Sequence, residues 1–353
     1  MNKEVKITAL SLGMTYAGCF FGAGYVSGKE LYEFFGSFGV SGYWGILLSI
    51  SLFFVFGILL IRNVLLSKKS SFDNVIKINE WRLPKILLGI MTVFMMFGIF
   101  VVMAAGAGAL LFKVFGIPHY IGCLIFVILV SVTSLFGING AVKVFSAVVP
   151  VLVITTLIIC ITSLCRYGID IDIPVTNQNK LLGNWFFSAL TYVSYNMVTL
   201  IGTMIPVASH IKKKITVITG IGIGCIAALS IALGILMSVT SVYGAADAEL
   251  PMLEIAYRIG DLCGIIYAIL LLIAMFGTSL SGIVAINEYL KSKTHNSKNI
   301  SYISTIIIAI LAFICSLRGF GNLVNTVYPI FGYIGFVILL IIILNNLILK
   351  QNK

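Results

Sequence analysis

The stretch Gly18-Cys-Phe-Phe-Gly-Ala-Gly-Tyr-Val-Ser-Gly-Lys-Glu30 lies inside an apolar segment, 7–36, that is long enough to cross a bilayer. It is nonetheless a poor continuous helix. Gly22, Gly24 and Gly28 sit close together around Ala23 and Ser27, and glycine at that density lets the backbone unwind and approach a ligand. In lipid, unwinding is tolerated only where the freed N–H and C=O groups face a cavity or other protein. Freed amides suit a carboxylate, and freed carbonyls suit a small cation. The same glycines also permit close helix packing, so both readings stand. Lys29, Glu30 and Glu33 add ionisable groups to a span away from its ends, where such groups signal function. Lys29 and Glu33 are spaced to pair on one helix face. Glu30 points elsewhere and reads as a gate or proton-linked group.

Outward from this stretch the chain is lipid-soluble almost throughout. Of its 353 residues 60% are apolar and 10% charged, against about 45–50% and about 25% in soluble domains. Ten apolar stretches are long enough to span: 7–36, 40–66, 84–115, 118–136, 143–166, 184–210, 214–243, 261–290, 300–317 and 321–349. They lack the two-residue alternation of a barrel, so the expected class is an all-α membrane protein. The net charge of +11 does not mark a nucleic-acid partner. Seventeen of the 23 basic residues fall on one side if the N-terminus is cytoplasmic, five on the other, and Lys29 lies within the first span. That bias predicts a cell-membrane protein with both termini inside, and basic residues facing lipid headgroups. The first span is too long and too glycine-rich for a cleaved signal peptide. The seven cysteines are scattered without paired spacing and read as small hydrophobes. His119, His210 and His295 have no second ligand at zinc spacing, and no Walker, Rossmann or nucleophile-elbow motif occurs. The longest polar connections, about 67–83, 167–183 and 291–299, leave no room for a catalytic domain, so an enzyme is not expected.

The chain echoes itself. Gly140-Ala-Val-Lys-Val-Phe-Ser-Ala-Val-Val-Pro150 opens the fifth span and Gly319-Phe-Gly-Asn-Leu-Val-Asn-Thr-Val-Tyr-Pro329 the tenth, with the same Gly–Pro spacing. The sixth span carries Thr191-Tyr-Val-Ser-Tyr-Asn-Met-Val-Thr-Leu-Ile-Gly202, a polar interruption answering the one in the first. Spans paired one with six and five with ten imply a five-helix unit repeated, and an odd count inverts the second copy in the membrane. The expected fold is therefore ten transmembrane helices in a single domain of two inverted five-helix repeats, about 1–168 and about 175–353. Helices one and six are both expected to break at the midplane. Tyr192, Ser194, Tyr195 and Asn196 offer hydroxyl and amide groups beside aromatic walls, for a small polar solute or for interhelical bonding. Phe97 and Phe100 of the third span wall a pocket or simply pack. Thr278, Ser279 and Ser281 of the eighth supply hard oxygens for Na⁺, or bond their own helix backbone.

The segment Gly18–Glu30, followed by Phe34-Phe35, resembles the opening of the YkvI-like membrane proteins, which typically read GAGFASGQE before an FF pair. That family is placed in the APC superfamily, whose members share the leucine-transporter fold. Gly137–Leu152 is similar to the fifth helix of the sodium-coupled amino-acid symporters of that fold, Trp185-Phe-Phe-Ser-Ala-Leu190 to the start of their sixth. Asp247–Ile259, with Pro251, looks like the short helix capping their site. The resemblance implies substrate between the first and sixth helices, walled by the third and eighth. It places sodium between the first-helix break and Thr278–Ser281. Sodium-independent relatives often carry a lysine inside the fifth helix, and residues 144–165 contain none. Lys29 stands where the family pattern has Gln, and the tyrosine that many symporters carry in the third helix has no counterpart around Phe97–Met103.

The expected function is a secondary transporter of an amino acid or similar small solute, coupled to Na⁺ or H⁺ and working by alternating access. A transporter-like receptor subunit that binds without pumping is the alternative. A channel lacks a repeated filter here, and a metal-ion transporter of this fold would carry an Asp-Pro-Gly-type first helix. No cofactor is expected beyond possible Na⁺; the partners are a small-molecule substrate and the bilayer.

Overall fold

The computed structural model describes residues 8–67, 82–136, 141–170, 179–208, 214–293 and 298–351. These residues are helical almost throughout. The first apolar stretch is three short helices, α1 (Ala9–Gly18), α2 (Ala23–Val26) and α3 (Lys29–Phe34), followed by a tight turn at Gly36–Phe38. Then come α4 (Val40–Ser67), α5 (Arg82–Phe115), α6 (His119–Phe136), α7 (Ala141–Tyr167) and α8 (Trp185–Ala208). The chain continues through α9 (Lys214–Ser241), the short α10 (Pro251–Ile259), α11 (Asp261–Lys293), α12 (Lys298–Ser316) and α13 (Phe320–Gln351). Gly137–Gly140, which opens the stretch resembling the symporters' fifth helix and includes the first residue of the fifth-span echo, lies outside the described residues, as do Lys3, Lys6, Lys68, Lys69, Lys77, Lys212, Lys213, Lys353, His210 and His295.

Among the described residues six helices are long and apolar enough to cross a membrane: Val40–Leu65, Gly89–Phe115, Pro150–Tyr167, Ile215–Ser241, Asp261–Asn287 and Phe320–Leu344. His119–Leu135 and Tyr302–Ser316 are shorter apolar helices. What they show to their surroundings fits lipid. On α12, Ile303, Ile306, Ile307, Ile310 and Ile314 are all exposed, a helical stripe of branched aliphatics that water would not tolerate. The protein is an integral membrane protein.

The core is arranged around the first span. α1 packs on α9, α5 on α11, and α8 on both α4 and α13. Small residues bring these backbones together. A Cβ on Gly13 would lie 2.7 Å from the Gly220 carbonyl, and one on Gly335 would lie 2.5 Å from the Ser194 carbonyl oxygen. Pro150 and Pro329 both lie inside helices. A helical proline deprives the carbonyl four residues earlier of its donor; for Pro329 that carbonyl is Asn325, and the Asn179 side-chain amide donates to it at 2.6 Å.

Candidate functional site

The first span breaks twice. α1 stops at Gly18, residues 19–22 form a turn, and α2 begins at Ala23 with Gly22 as its uncapped start. The amides that open α2 have no preceding turn to receive them. The second break falls at Ser27-Gly28, where Gly28 takes φ +82°, a left-handed conformation suited to glycine. There the freed carbonyls are taken up by protein. Tyr267 donates its hydroxyl to the Val26 carbonyl at 2.5 Å, and the Met252 amide of α10 donates to the Ser27 carbonyl at 2.9 Å. Ser27 donates to the Gly24 carbonyl at 2.7 Å. Tyr25 reaches across to the Ala228 carbonyl at 2.6 Å, and Ser188 of α8 to the Phe34 carbonyl at 2.6 Å.

The sixth span does not break, contrary to the expectation from its polar residues. α8 is continuous from Trp185 to Ala208. Its polar side chains turn back onto their own helix. Thr191 donates to the Phe187 carbonyl at 2.8 Å and Asn196 to the Tyr192 carbonyl at 3.0 Å. Ser194 donates to the carbonyls of Thr191 at 2.8 Å and Gly332 at 2.6 Å. Hydroxyls satisfied in this way leave the helical ladder intact, and the glycine of this stretch, Gly202, lies near the far end of α8.

At the first break a cavity of about 560 Å³ opens between the spans. Residues 18–24 form one wall. Ile99 and Met103 of α5, Pro150 of α7, Tyr195 and Asn196 of α8, Thr278 of α11 and Tyr328 of α13 close the others. Glu30 reaches it from α3 and is 5% exposed. The Tyr195 hydroxyl donates to Glu30 Oε1. Glu30 Oε2 lies over Gly24, where a Cβ would come within 2.5 Å of it and 3.1 Å from the Tyr328 hydroxyl. Tyr195 and Tyr328 stack with ring centroids 5.3 Å apart.

The cavity thus gathers Gly22, Ala23, Gly24, Glu30, Tyr195, Asn196 and Thr278 from the residues singled out in the sequence. The others lie elsewhere. Ser27 and Gly28 belong to the second break. Lys29 is paired with Glu33 at 3.2 Å and donates to the Ala246 carbonyl at 3.2 Å, so it faces the end of the molecule near α10. Phe100 is fully buried in the core and Phe97 half-buried against it. Tyr192 sits in an aromatic cluster with Phe34, Phe35 and Phe53, and Ser194 serves packing against α13. Thr278 bonds its own helix at Ala274 while facing the cavity. Ser279 is fully buried, and its hydroxyl makes no hydrogen bond. Ser281 is exposed, turned away from any shared site with Thr278. Tyr328, Met103 and Pro150 were not anticipated as lining residues; Tyr328 stands next to Pro329 of the repeated Gly–Pro pattern, which was the available signal.

A second cavity, of about 460 Å³, lies where α5, α10 and the start of α13 meet and includes Lys113, His119, Glu249, Glu254 and Arg318. Lys113 bonds Glu254 at 2.6 Å and Arg258 bonds it at 3.3 Å. The Lys113 hydrogen bond holds the Glu254 carboxyl below the usual carboxylate range. Glu249 accepts the Phe320 amide at 2.8 Å at the start of α13, where a negative charge is favoured.

No protein-family model matches the chain. Two Bacillus subtilis (strain 168) proteins are similar along most of its length. The membrane protein YkvI is 26% identical over 329 residues, 91% of each chain. The protein YyaD is 24% identical over 320 residues, covering 87% of this chain and 88% of its own. The resemblance first carried by residues 18–35 therefore extends across the molecule. Among solved structures, MhsT in complex with L-phenylalanine superposes with a TM-score of 0.64 at 17% identity, over 95% of this chain and 88% of that one. A mutant of the Eremococcus coleocola manganese transporter superposes at 0.62 and 15%, over 96% and 86%. The chain shares the leucine-transporter-type fold of these proteins.

Proposed function

We propose that the protein is a secondary transporter of a small polar solute, an amino acid or a molecule of similar size, working by alternating access. In this reading its ten spans form one domain of two inverted five-helix repeats in the cell membrane, with both termini cytoplasmic and only the first repeat carrying a broken helix. The observation that carries it is the cavity at the first-span break. It brings unwound backbone, a lone carboxylate and five other spans to one place, as midplane binding in a repeated fold requires. The fold held in common with MhsT and the manganese transporter supports transport as the activity.

Coupling by Na⁺ or H⁺ is part of the proposal. Thr278 lines the cavity together with residues 18–24, and the neighbouring Ser279 hydroxyl is buried without a protein partner, which supplies hard oxygens for Na⁺. Glu30 is the candidate proton carrier. The manganese reading is weaker: among the described residues no three His, Cys, Asp or Glu side chains gather as metal ligands.

The test is uptake of candidate solutes into liposomes with Na⁺ or choline outside, beside thermal unfolding in the same ions. A ligand at 100 times its Kd stabilises by about 2.7 kcal/mol. Na⁺-dependent uptake that Thr278→Ala with Ser279→Ala weakens is the expected result. Unchanged Na⁺ stimulation in that variant would remove the sodium site. Binding without gradient-driven uptake would replace the transporter by a receptor.

A further inference from the structure

Among the described residues the central cavity carries an acid and no base: Glu30 is the one carboxylate on its wall, and no Lys, Arg or His borders it. Lys29, its neighbour in sequence, is engaged by Glu33 and the Ala246 carbonyl. The groups that face Glu30 are phenolic: Tyr25 from α2, Tyr192 and Tyr195 from α8, and Tyr328 from α13. Beside Gly28 and Gly36 of the same span α9 presents the apolar Ile235, Leu236 and Val239. A carboxylate withdrawn from water without a cation is costly, and a hydroxyl donor offsets only part of that cost. The remainder must come from a proton or from a cation that the cavity admits. The aromatic wall made by Phe20, Phe21, Tyr195 and Tyr328 favours the cation, through ring faces that attract positive charge.

We infer that Glu30 is the counter-ion for a protonated amine of the substrate and holds a proton while the cavity is empty. The inference rests on the cavity being the substrate site and narrows the substrate class to amine-bearing solutes. When the ammonium group arrives, the Glu30 O–H bond breaks and its proton leaves to water, while ammonium N–H groups donate to the carboxylate. The cavity gains one positive charge and loses one, so its net charge is unchanged. Across a membrane the same exchange moves substrate one way and a proton the other.

The experiment is isothermal titration calorimetry on the detergent-purified full chain. The probes are the L-amino acids, the amines formed from them by decarboxylation and the acids formed by removing their amino groups. Each is run in two buffers of different ionisation heat. Binding of amines, no binding of the deaminated acids and release of up to one proton per amine are expected, with Glu30→Gln weakening amine binding at least tenfold and abolishing the release. A deaminated acid that binds as well as its amine overturns the proposal. So does an amine that binds without releasing a proton at any pH from 5 to 8, and so does a panel in which no amine binds. Because the comparison of amine with acid is made on the unaltered chain, it stands even if Glu30→Gln fails to fold. Amine binding with proton release but no liposome uptake would sustain this inference and remove the transport reading.

Discussion

The first and sixth spans border the same cavity, and only one of them is broken. Both carry polar groups in apolar surroundings: Ser27, Lys29 and Glu30 in the first, Thr191, Ser194, Tyr195 and Asn196 in the sixth. In the sixth, short polar side chains bond carbonyls of their own helix and the ladder survives. In the first, Gly18, Gly22, Gly24 and Gly28 remove side chains that would resist unwinding. Tyr267 and the Met252 amide then receive the carbonyls set free at the second break. The lesson is that polarity alone does not break a membrane helix. A break needs glycine where the chain must turn and outside partners for the groups the turn releases.

The comparison is broken most severely at Gly24. Valine there would drive side-chain atoms into Glu30 Oε2 and the Tyr328 hydroxyl, and liposome uptake should fall more than tenfold. Asn196→Ala, on the sixth-span wall of the same cavity, should lose only a fewfold. Equal losses would mean that the two spans serve the cavity alike. Gly28→Ala comes next. A left-handed alanine costs about 1–2 kcal/mol, and its Cβ would sit 3.0 Å from Met252 and 3.1 Å from Val239, so thermal unfolding should move down clearly. Ser194→Ala removes a hydroxyl bonded to two carbonyls and should cost about 1 kcal/mol with the helix unbroken. A larger loss than that of Gly28→Ala would reverse the ranking of the two spans.

The smallest effect belongs to the α10 end. The carboxyl of Glu254 lies below its ordinary range because of Lys113. Its contribution is therefore present above the ordinary carboxylate range and lost as pH falls through the lowered value. Both side chains are partly exposed, 46% for Lys113 and 22% for Glu254, so solvent screening holds the contribution to well under about 1 kcal/mol. Lys113→Ala should flatten the acid-side decline in unfolding temperature slightly; an identical pH profile would show that the pair contributes nothing.

Much of this was legible in the sequence because bilayer length and hydropathy are written locally. The breaks announced themselves through glycine spacing, and the Lys29–Glu33 pair through its interval of four. The illegible part concerns which neighbour a face meets. Phe100 and Met103 lie one turn apart on α5, yet one is sealed in the core and the other lines the cavity. Hydropathy cannot separate these, because core, cavity and lipid all accept an apolar residue. Ser281 shows the same limit: three positions from Thr278, it falls on an exposed face. Tyr328 was hidden for a different reason. It approaches Glu30 from the far end of the chain, and its neighbour Pro329 gave a repeat signal without saying which side chain would point inward.

The pieces of the first span are 10, 4 and 6 residues long, each far short of the roughly 20 that a bilayer crossing requires. Part of what steadies them is made much later. The hydroxyl of Tyr25 bonds a carbonyl 203 residues further along the chain. At a synthesis rate of about 5–20 residues per second, that partner leaves the ribosome roughly 10–40 seconds after the tyrosine does. For that interval Tyr25 lacks its partner on α9, whereas Tyr16 of α1 has the Phe53 carbonyl only 37 residues on. Part of the packing that holds the first-span break is thus available only once α9 has been made.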